Sequence, residues 1–159
     1  MPTMQQWLDA YGVSHQNPTN KLIHWICVPL IFYSIIGLLA SIPAAFLKDH
    51  FPIAMQPYVH WGTVLIVLGL VFYFVHSITI LIGIALFSFF CLYLVTVFQK
   101  LSLPLWASSL LIFVAAWIGQ FYGHKIEGKK PSFFQDLQFL LIGPAWLLHF
   151  IYKKAGLKY

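Results

Sequence analysis

The chain contains no arginine, and its charged residues amount to nine lysines and four acids in 159 positions. That is too little charge to cover a soluble surface of this size. The absence of arginine also argues against a nucleic-acid reader, which would cluster Arg and Lys on a soluble face. Cysteine is scarce too. Cys27 and Cys91 lie far apart in apolar segments and outside any CxxC pattern, so they read as buried free thiols and say nothing about compartment. The N-terminus, MPTMQQWLDAYG, lacks a basic segment followed by an apolar run. No cleaved signal is expected, and membrane insertion would rest on the first long helix. Histidine boxes such as HxxxH or HxxHH are missing as well, which weighs strongly against a membrane desaturase or hydroxylase with a di-metal centre. Internal repeats, low-complexity tracts and domain linkers are absent.

What is present is apolar: 60% of the residues are hydrophobic, and the mean hydropathy is +0.82. The pattern predicts an all-α integral membrane bundle in one domain, residues 1–159. It would have four spanning helices, a C-terminal membrane-embedded or interfacial helix and a short N-terminal interfacial helix. Residues 3–11 supply that first helix, with Met4, Trp7, Leu8 and Tyr11 on one side. Leu22 to about Ile42 gives roughly 20 residues, about 30 Å of helix, in which Pro29 should introduce a kink. A proline-rich loop carrying Lys48 and Asp49 follows. The second span runs from about Tyr58 to Val75 and the third from Ile78 to Phe98, with only His76 and Ser77 between them; the combined run is too long for one crossing and reads as a tight hairpin. Pro104 opens a fourth span that continues to about Tyr122. The segment GHKIEGKKPS is the most charged in the chain, and a last helix from about Phe134 to Tyr152 holds Gly143-Pro144 in its middle.

Lysine placement sets the expected orientation. Lys21, Lys125, Lys129 and Lys130 fall on the N-terminal side, and Lys48 and Lys100 on the other. A full crossing by the last segment would send Lys153, Lys154 and Lys158 across and cancel the bias. If that segment turns back at Gly143-Pro144 or lies in the interface, the N-terminal side is strongly basic and therefore cytoplasmic. The second arrangement is expected, in a bacterial inner membrane or the endoplasmic reticulum.

The stretch His15 to Pro29, HQNPTNKLIHWICVP, organises the rest. It places histidines, asparagines and a lysine at the mouth of an apolar helix, where polar groups are costly without a partner or a task. Asn17 before Pro18 reads as a helix start, which puts Asn20 and His24 on one face and leaves a short loop to swing His15 over the same end. Trp117, Gln120 and His124 recur at helical spacing, with Glu127 one turn on. His15, His24, His76 and His124 thus fall on one side of the membrane. His50 and His60 fall on the other and read as residues at headgroup level. Imidazole suits iron, zinc, copper and nickel, and three protein ligands leave open positions on a metal of octahedral habit. The candidate catalytic and metal-ligating residues are His15, His24 and His124. Glu127 is a possible carboxylate ligand or partner for an imidazole N–H; Asn17, Asn20 and Gln120 would orient the rings, and Lys21 or Lys125 would meet a substrate carboxylate. His76 is more simply a turn residue, and His149 becomes a candidate only if the last segment folds back. Two other readings fit these residues: a haem electron carrier ligated by two histidines on facing helices, and a non-catalytic multi-pass membrane protein.

The pair HQNPTNKLIHWICVP and QFYGHKIEGKKP, followed by a last helix containing Gly-Pro, resembles the small multi-pass membrane family of Fe(II)-dependent 2-hydroxy fatty acid dioxygenases, named for metabolism of phytosphingosine to odd-numbered fatty acids. The resemblance covers nearly the whole chain and rests on the His-x4-Asn-x3-His opening together with the Gln-x2-Gly-His ending. It implies Fe(2+) as cofactor and a long-chain 2-hydroxy fatty acid and O2 as partners within the lipid bilayer. The implied reaction is fatty acid alpha-oxidation, which releases the one-carbon-shorter acid. The family's essential histidines carry over onto His15, His24 and His124. A homo-oligomer is left open.

Overall fold

The computed structural model describes residues 3–128 and 139–158. Among them the chain is all-helical, with no strand. Seven α-helices follow in order: α1 (Met4–Gly12), α2 (Pro18–Ala40), α3 (Ala45–Lys48), α4 (Trp61–His76), α5 (Ile78–Phe98), α6 (Leu105–Glu127) and α7 (Ile142–Ala155). A 3-10 turn at Gln56–Tyr58 precedes α4. By length and composition α2, α5 and α6 are able to cross a membrane, whereas α4 is apolar but shorter. The outward faces of these helices carry Ile26, Leu68, Phe74, Leu86, Phe89, Leu111 and Ile118, all exposed. A chain that turns such side chains outward is built for a lipid solvent.

Local chemistry sets the helix ends. Thr3 and Gln6 form a capping box at α1. The Asn17 side chain accepts from the backbone N–H of Thr19 and Asn20, with Pro18 in the first turn, so α2 starts where the sequence placed it. It then runs through Pro29 as one helix. Ser77 separates α4 from α5 and caps the second with its hydroxyl. The hairpin therefore turns on a single residue. Hydropathy ends near Tyr122, yet α6 continues to Glu127, because Lys125, Ile126 and Glu127 are competent helix residues. The stop comes at Gly128, whose φ of +72° only glycine adopts readily.

Small residues draw α2 and α6 together, antiparallel, into the most extensive helix–helix interface among the described residues. A Cβ added to Gly37 would strike Ser109, one added to Gly119 would lie 2.6 Å from the Cys27 sulfur, and one added to Gly123 would run into Asn20. Close approach at three levels fixes the register of the two helices. The start of α2 thereby lies beside the end of α6.

The last helix differs from expectation. Residues 134–138 of its expected span, like Lys129 and Lys130, lie outside the described residues. In the described part Gly143 and Pro144 open α7 in its first turn rather than interrupting its middle, a position that suits a residue without a backbone N–H. Leu141, just before α7, accepts a hydrogen bond from the hydroxyl of the fully buried Tyr73 on α4. At the far end, the Tyr152 hydroxyl donates to the carbonyl of Thr79 in the first turn of α5, at 2.9 Å. So α7 begins against the middle of the bundle and returns toward the α4–α5 turn. Along the way it covers α1, with Trp146 against Tyr11.

Candidate metal centre

Three elements deliver three imidazoles to one point. His15 comes from the loop between α1 and α2, His24 from the second turn of α2 and His124 from the last turn of α6. They are 2%, 0% and 4% exposed, at the end of a bundle where water would otherwise solvate them. One ring nitrogen of each lies within 4.8 Å of the others. Ring centroids are 4.2 Å apart for His15 and His24, 5.3 Å for His15 and His124, and 5.2 Å for His24 and His124, with interplanar angles of 75°, 63° and 87°. Rings so inclined point edges at a common centre instead of stacking.

Proton bookkeeping makes the centre a receptor for a cation. The Nδ1 of His15 lies 2.6 Å from the carbonyl oxygen of Tyr11, and the Nδ1 of His24 lies 2.9 Å from that of Asn20. A carbonyl only accepts, so each Nδ1 carries the hydrogen and each Nε2 is left with its lone pair. These two Nε2 atoms face each other at 2.8 Å. Two lone pairs at that distance repel unless a proton or a metal cation lies between them. For imidazole bound at about 2.1 Å, cis ligands of an octahedral ion lie about 3 Å apart and tetrahedral ligands about 3.4 Å. The pair thus matches the cis edge of an octahedral site, with backbone carbonyls fixing both tautomers as metal-bound histidines require. A two-histidine haem needs its donors on opposite sides of the macrocycle, about 4 Å apart at about 2 Å per bond. His15 and His24 leave no room for that plane.

Around the rings, Tyr11 stacks on His15 at 4.2 Å and 13°, and the Trp146 ring lies 5.3 Å away. Asn20 is fully buried; its side-chain amide donates to Glu127 at 3.0 Å and to the Ser14 carbonyl at 3.3 Å, while its backbone carbonyl holds His24. Gln120, also buried, is turned to His24. Asn17 serves as the α2 cap. Glu127 is placed differently from either expected role. Its carboxylate accepts from the backbone N–H of Gln16 at 2.8 Å and of Asn17 at 2.9 Å, and from Asn20, whereas the N–H groups of His15 and His24 go to carbonyls. Lys21 is half-buried and Lys125 exposed at the same end of the bundle.

The remaining histidines lie elsewhere. His76 donates to the Phe72 carbonyl at 2.8 Å and packs on the Phe72 ring. His149 faces Phe150 and the charge of Asp9, although α7 does fold back. His50 is exposed. His60, expected at headgroup level, is instead 2% exposed, and its Nδ1 accepts from the Thr63 N–H at 3.2 Å as the cap of α4.

Sequence reasoning missed Tyr11 and Trp146 as part of the site. Tyr11 precedes His15 by four residues, a spacing that pairs side chains at a helix end, and was readable. Trp146 reaches His15 through the return of α7; the lysine count favours such a return but does not say which residue it brings to the rings. A cavity of about 30 Å³, room for a water or two, lies between Tyr11, Trp117, Gln120, Val28 and Gly143. Val28 also walls an apolar groove of about 150 Å³ between α2, α5 and α7, lined by Trp25, Pro29, Phe87, Pro144 and Leu148.

No curated protein and no solved structure matches the chain significantly. The sequence model of a protein family described as 2-hydroxy-palmitic acid dioxygenase Mpo1-like matches residues 1–155. That match spans the loop and the two helices that bring the imidazoles together, and the chain belongs to the Mpo1-like family.

Proposed function

We propose that the protein is a membrane-embedded Fe(II)-dependent dioxygenase that shortens long-chain 2-hydroxy fatty acids by one carbon. The observation that carries this reading is the convergence of three buried histidines, two of them, His15 and His24, held in tautomers whose lone pairs face each other. His15, His24 and His124 would hold the iron, and neutral imidazoles suit it. When bound, iron supplies the redox chemistry that couples a 2-hydroxy acid to dioxygen; overall, the hydroxy acid and O2 give the shorter acid, carbon dioxide and water. With three protein ligands, room remains for the carboxylate and hydroxyl of the substrate. Burial excludes bulk water from the site, and the backbone carbonyls of Tyr11 and Asn20 hold His15 and His24 in the ligating tautomer. Gln120 and Tyr11 line the small cavity beside the rings, where they would orient the polar head.

The acyl chain would lie in the apolar groove between α2, α5 and α7, which has Val28 as a wall in common with that cavity. Each methylene buried there contributes about 0.8 kcal/mol. In this reading α2, α4, α5 and α6 span the bilayer, α4 with 16 residues covering about 24 Å, while α1 and α7 pack within the leaflet that holds the site. That leaflet faces the cytoplasm.

The test is metal analysis of protein purified without added metal, paired with an assay for the one-carbon-shorter acid. Wild type should carry iron and convert 2-hydroxypalmitate, with far poorer turnover of 2-hydroxy acids of a few carbons. His24→Ala and His124→Ala should lose both iron and product, by a hundredfold or more. Full retention of iron and product in either variant would refute the assignment, and a non-catalytic scaffold predicts a wild-type protein with no copurifying metal.

A further inference from the structure

Glu127 occupies a place that the metal-site reading does not by itself explain. It sits three residues beyond His124 on the last turn of α6, yet its carboxylate is spent on a different segment, the loop that carries His15. On its N-terminal side that loop is tied to α1, through Ser14 N–H to the Tyr11 carbonyl and His15 N–H to the Gly12 carbonyl. On its C-terminal side the backbone N–H groups of Gln16 and Asn17 both go to Glu127, one to each oxygen. Asn20 adds a third bond to the same carboxylate from the first turn of α2. An anion at a helix N-terminus is well placed electrostatically, and three charge-assisted hydrogen bonds make it a strong tie.

We propose that Glu127 is a positioning residue that acts through His15, clamping the α1–α2 loop onto α6 so that His15 completes the site. The inference rests on the metal-site reading. One helix end thus supplies both a ligand, His124, and the restraint on another ligand arriving from the far end of the chain. A carboxylate is required because three N–H donors converge on two oxygens. An amide would turn its own NH2 group toward a backbone N–H.

The experiment measures cobalt(II) affinity by its visible absorption, using the detergent-purified full chain without iron, for wild type, Glu127→Gln, His15→Ala and the double variant. Glu127→Gln should weaken binding by 10- to 100-fold, the usual effect of losing a group that orients a ligand. In the His15→Ala background the same substitution should change the affinity by less than twofold, since the ligand it positions is gone. Hydrogen exchange of the metal-free protein gives the second readout: the Gln16 and Asn17 amides should lose protection in Glu127→Gln while the amides of α2 and α6 keep theirs, which also establishes that the variant folds. Equal losses in both backgrounds, or a Glu127→Gln protein that binds as wild type does, would overturn the role of Glu127 alone. A wild-type protein that takes up no cobalt would overturn the metal site itself.

Discussion

A histidine buried in an apolar bundle is held neutral unless an anionic partner stabilises its charge, and this chain buries His60 as a neutral cap. Its Nδ1 lone pair caps α4 by accepting the Thr63 N–H, an arrangement that protonation destroys. Burial first, and then the charge of Lys48, lowers its pKa from 6.5 to about 4. Between those values the unfolded chain takes up a proton that the folded one refuses, so stability is complete above pH 6.5 and declines as pH falls toward 4. For this one group the loss amounts to about 3 kcal/mol. His60→Asn keeps a capping side chain and removes the titration. Thermal midpoints in detergent at pH 7 and pH 4.5 should therefore fall further for wild type than for His60→Asn. An equal fall in both proteins would mean that His60 does not couple folding to pH.

At the scale of elements, the site depends on how closely α2 and α6 approach, and glycines set that distance. Gly123 faces Asn20, which in turn contacts Glu127 and, through its carbonyl, His24. Gly119 faces the softer sulfur of Cys27, one turn farther from the site. Adding a methyl group at either position overpacks the seam, at a cost of about 1 to 3 kcal/mol. Only Gly123→Ala should also displace a residue that orients a ligand. Metal content per protein is expected to drop by half or more in Gly123→Ala and to stay near wild type in Gly119→Ala, with lowered melting temperatures in both; identical metal content in the two would separate the seam from the site. Much of this was legible in the sequence. Asn17-Pro18 announced the start of α2, Ser77 the hairpin and Pro104 the start of α6, because caps and prolines act locally. The histidine set was legible because polar residues at the ends of apolar runs have few bland explanations. The role of Glu127, the burial of His60 and the place of Trp146 were not. Each depends on which distant backbone a side chain meets, and hydropathy carries no information on that.

For the whole molecule, the controlling fact is that α7 does not run the length of the bundle. Its start is held by the Tyr73 hydroxyl, with Leu141 against Gly69 in the middle of α4, and its end is tied to Thr79 beside the α4–α5 turn, the same end at which His24 and His124 meet. That geometry puts Lys153 and Lys154 at the end where Lys21 and Lys125 already lie, and leaves Lys48 and Lys100 at the other. In the proposed orientation this lysine-rich end faces the cytoplasm. Both chain ends should then be reachable from one side of the membrane. The two native cysteines, 8% and 1% exposed, give little background for thiol labelling. Single cysteines introduced at Gln5, Gln56 and Lys158 should divide accordingly in sealed vesicles: an impermeant maleimide added outside right-side-out vesicles labels Gln56→Cys, and labels Gln5→Cys and Lys158→Cys only after the vesicles are opened. Labelling of Lys158→Cys from outside, with Gln5→Cys protected, would mean that the last segment crosses the bilayer. The lysine excess would then vanish, and with it the ground for proposing that the histidine cluster lies at the cytoplasmic leaflet.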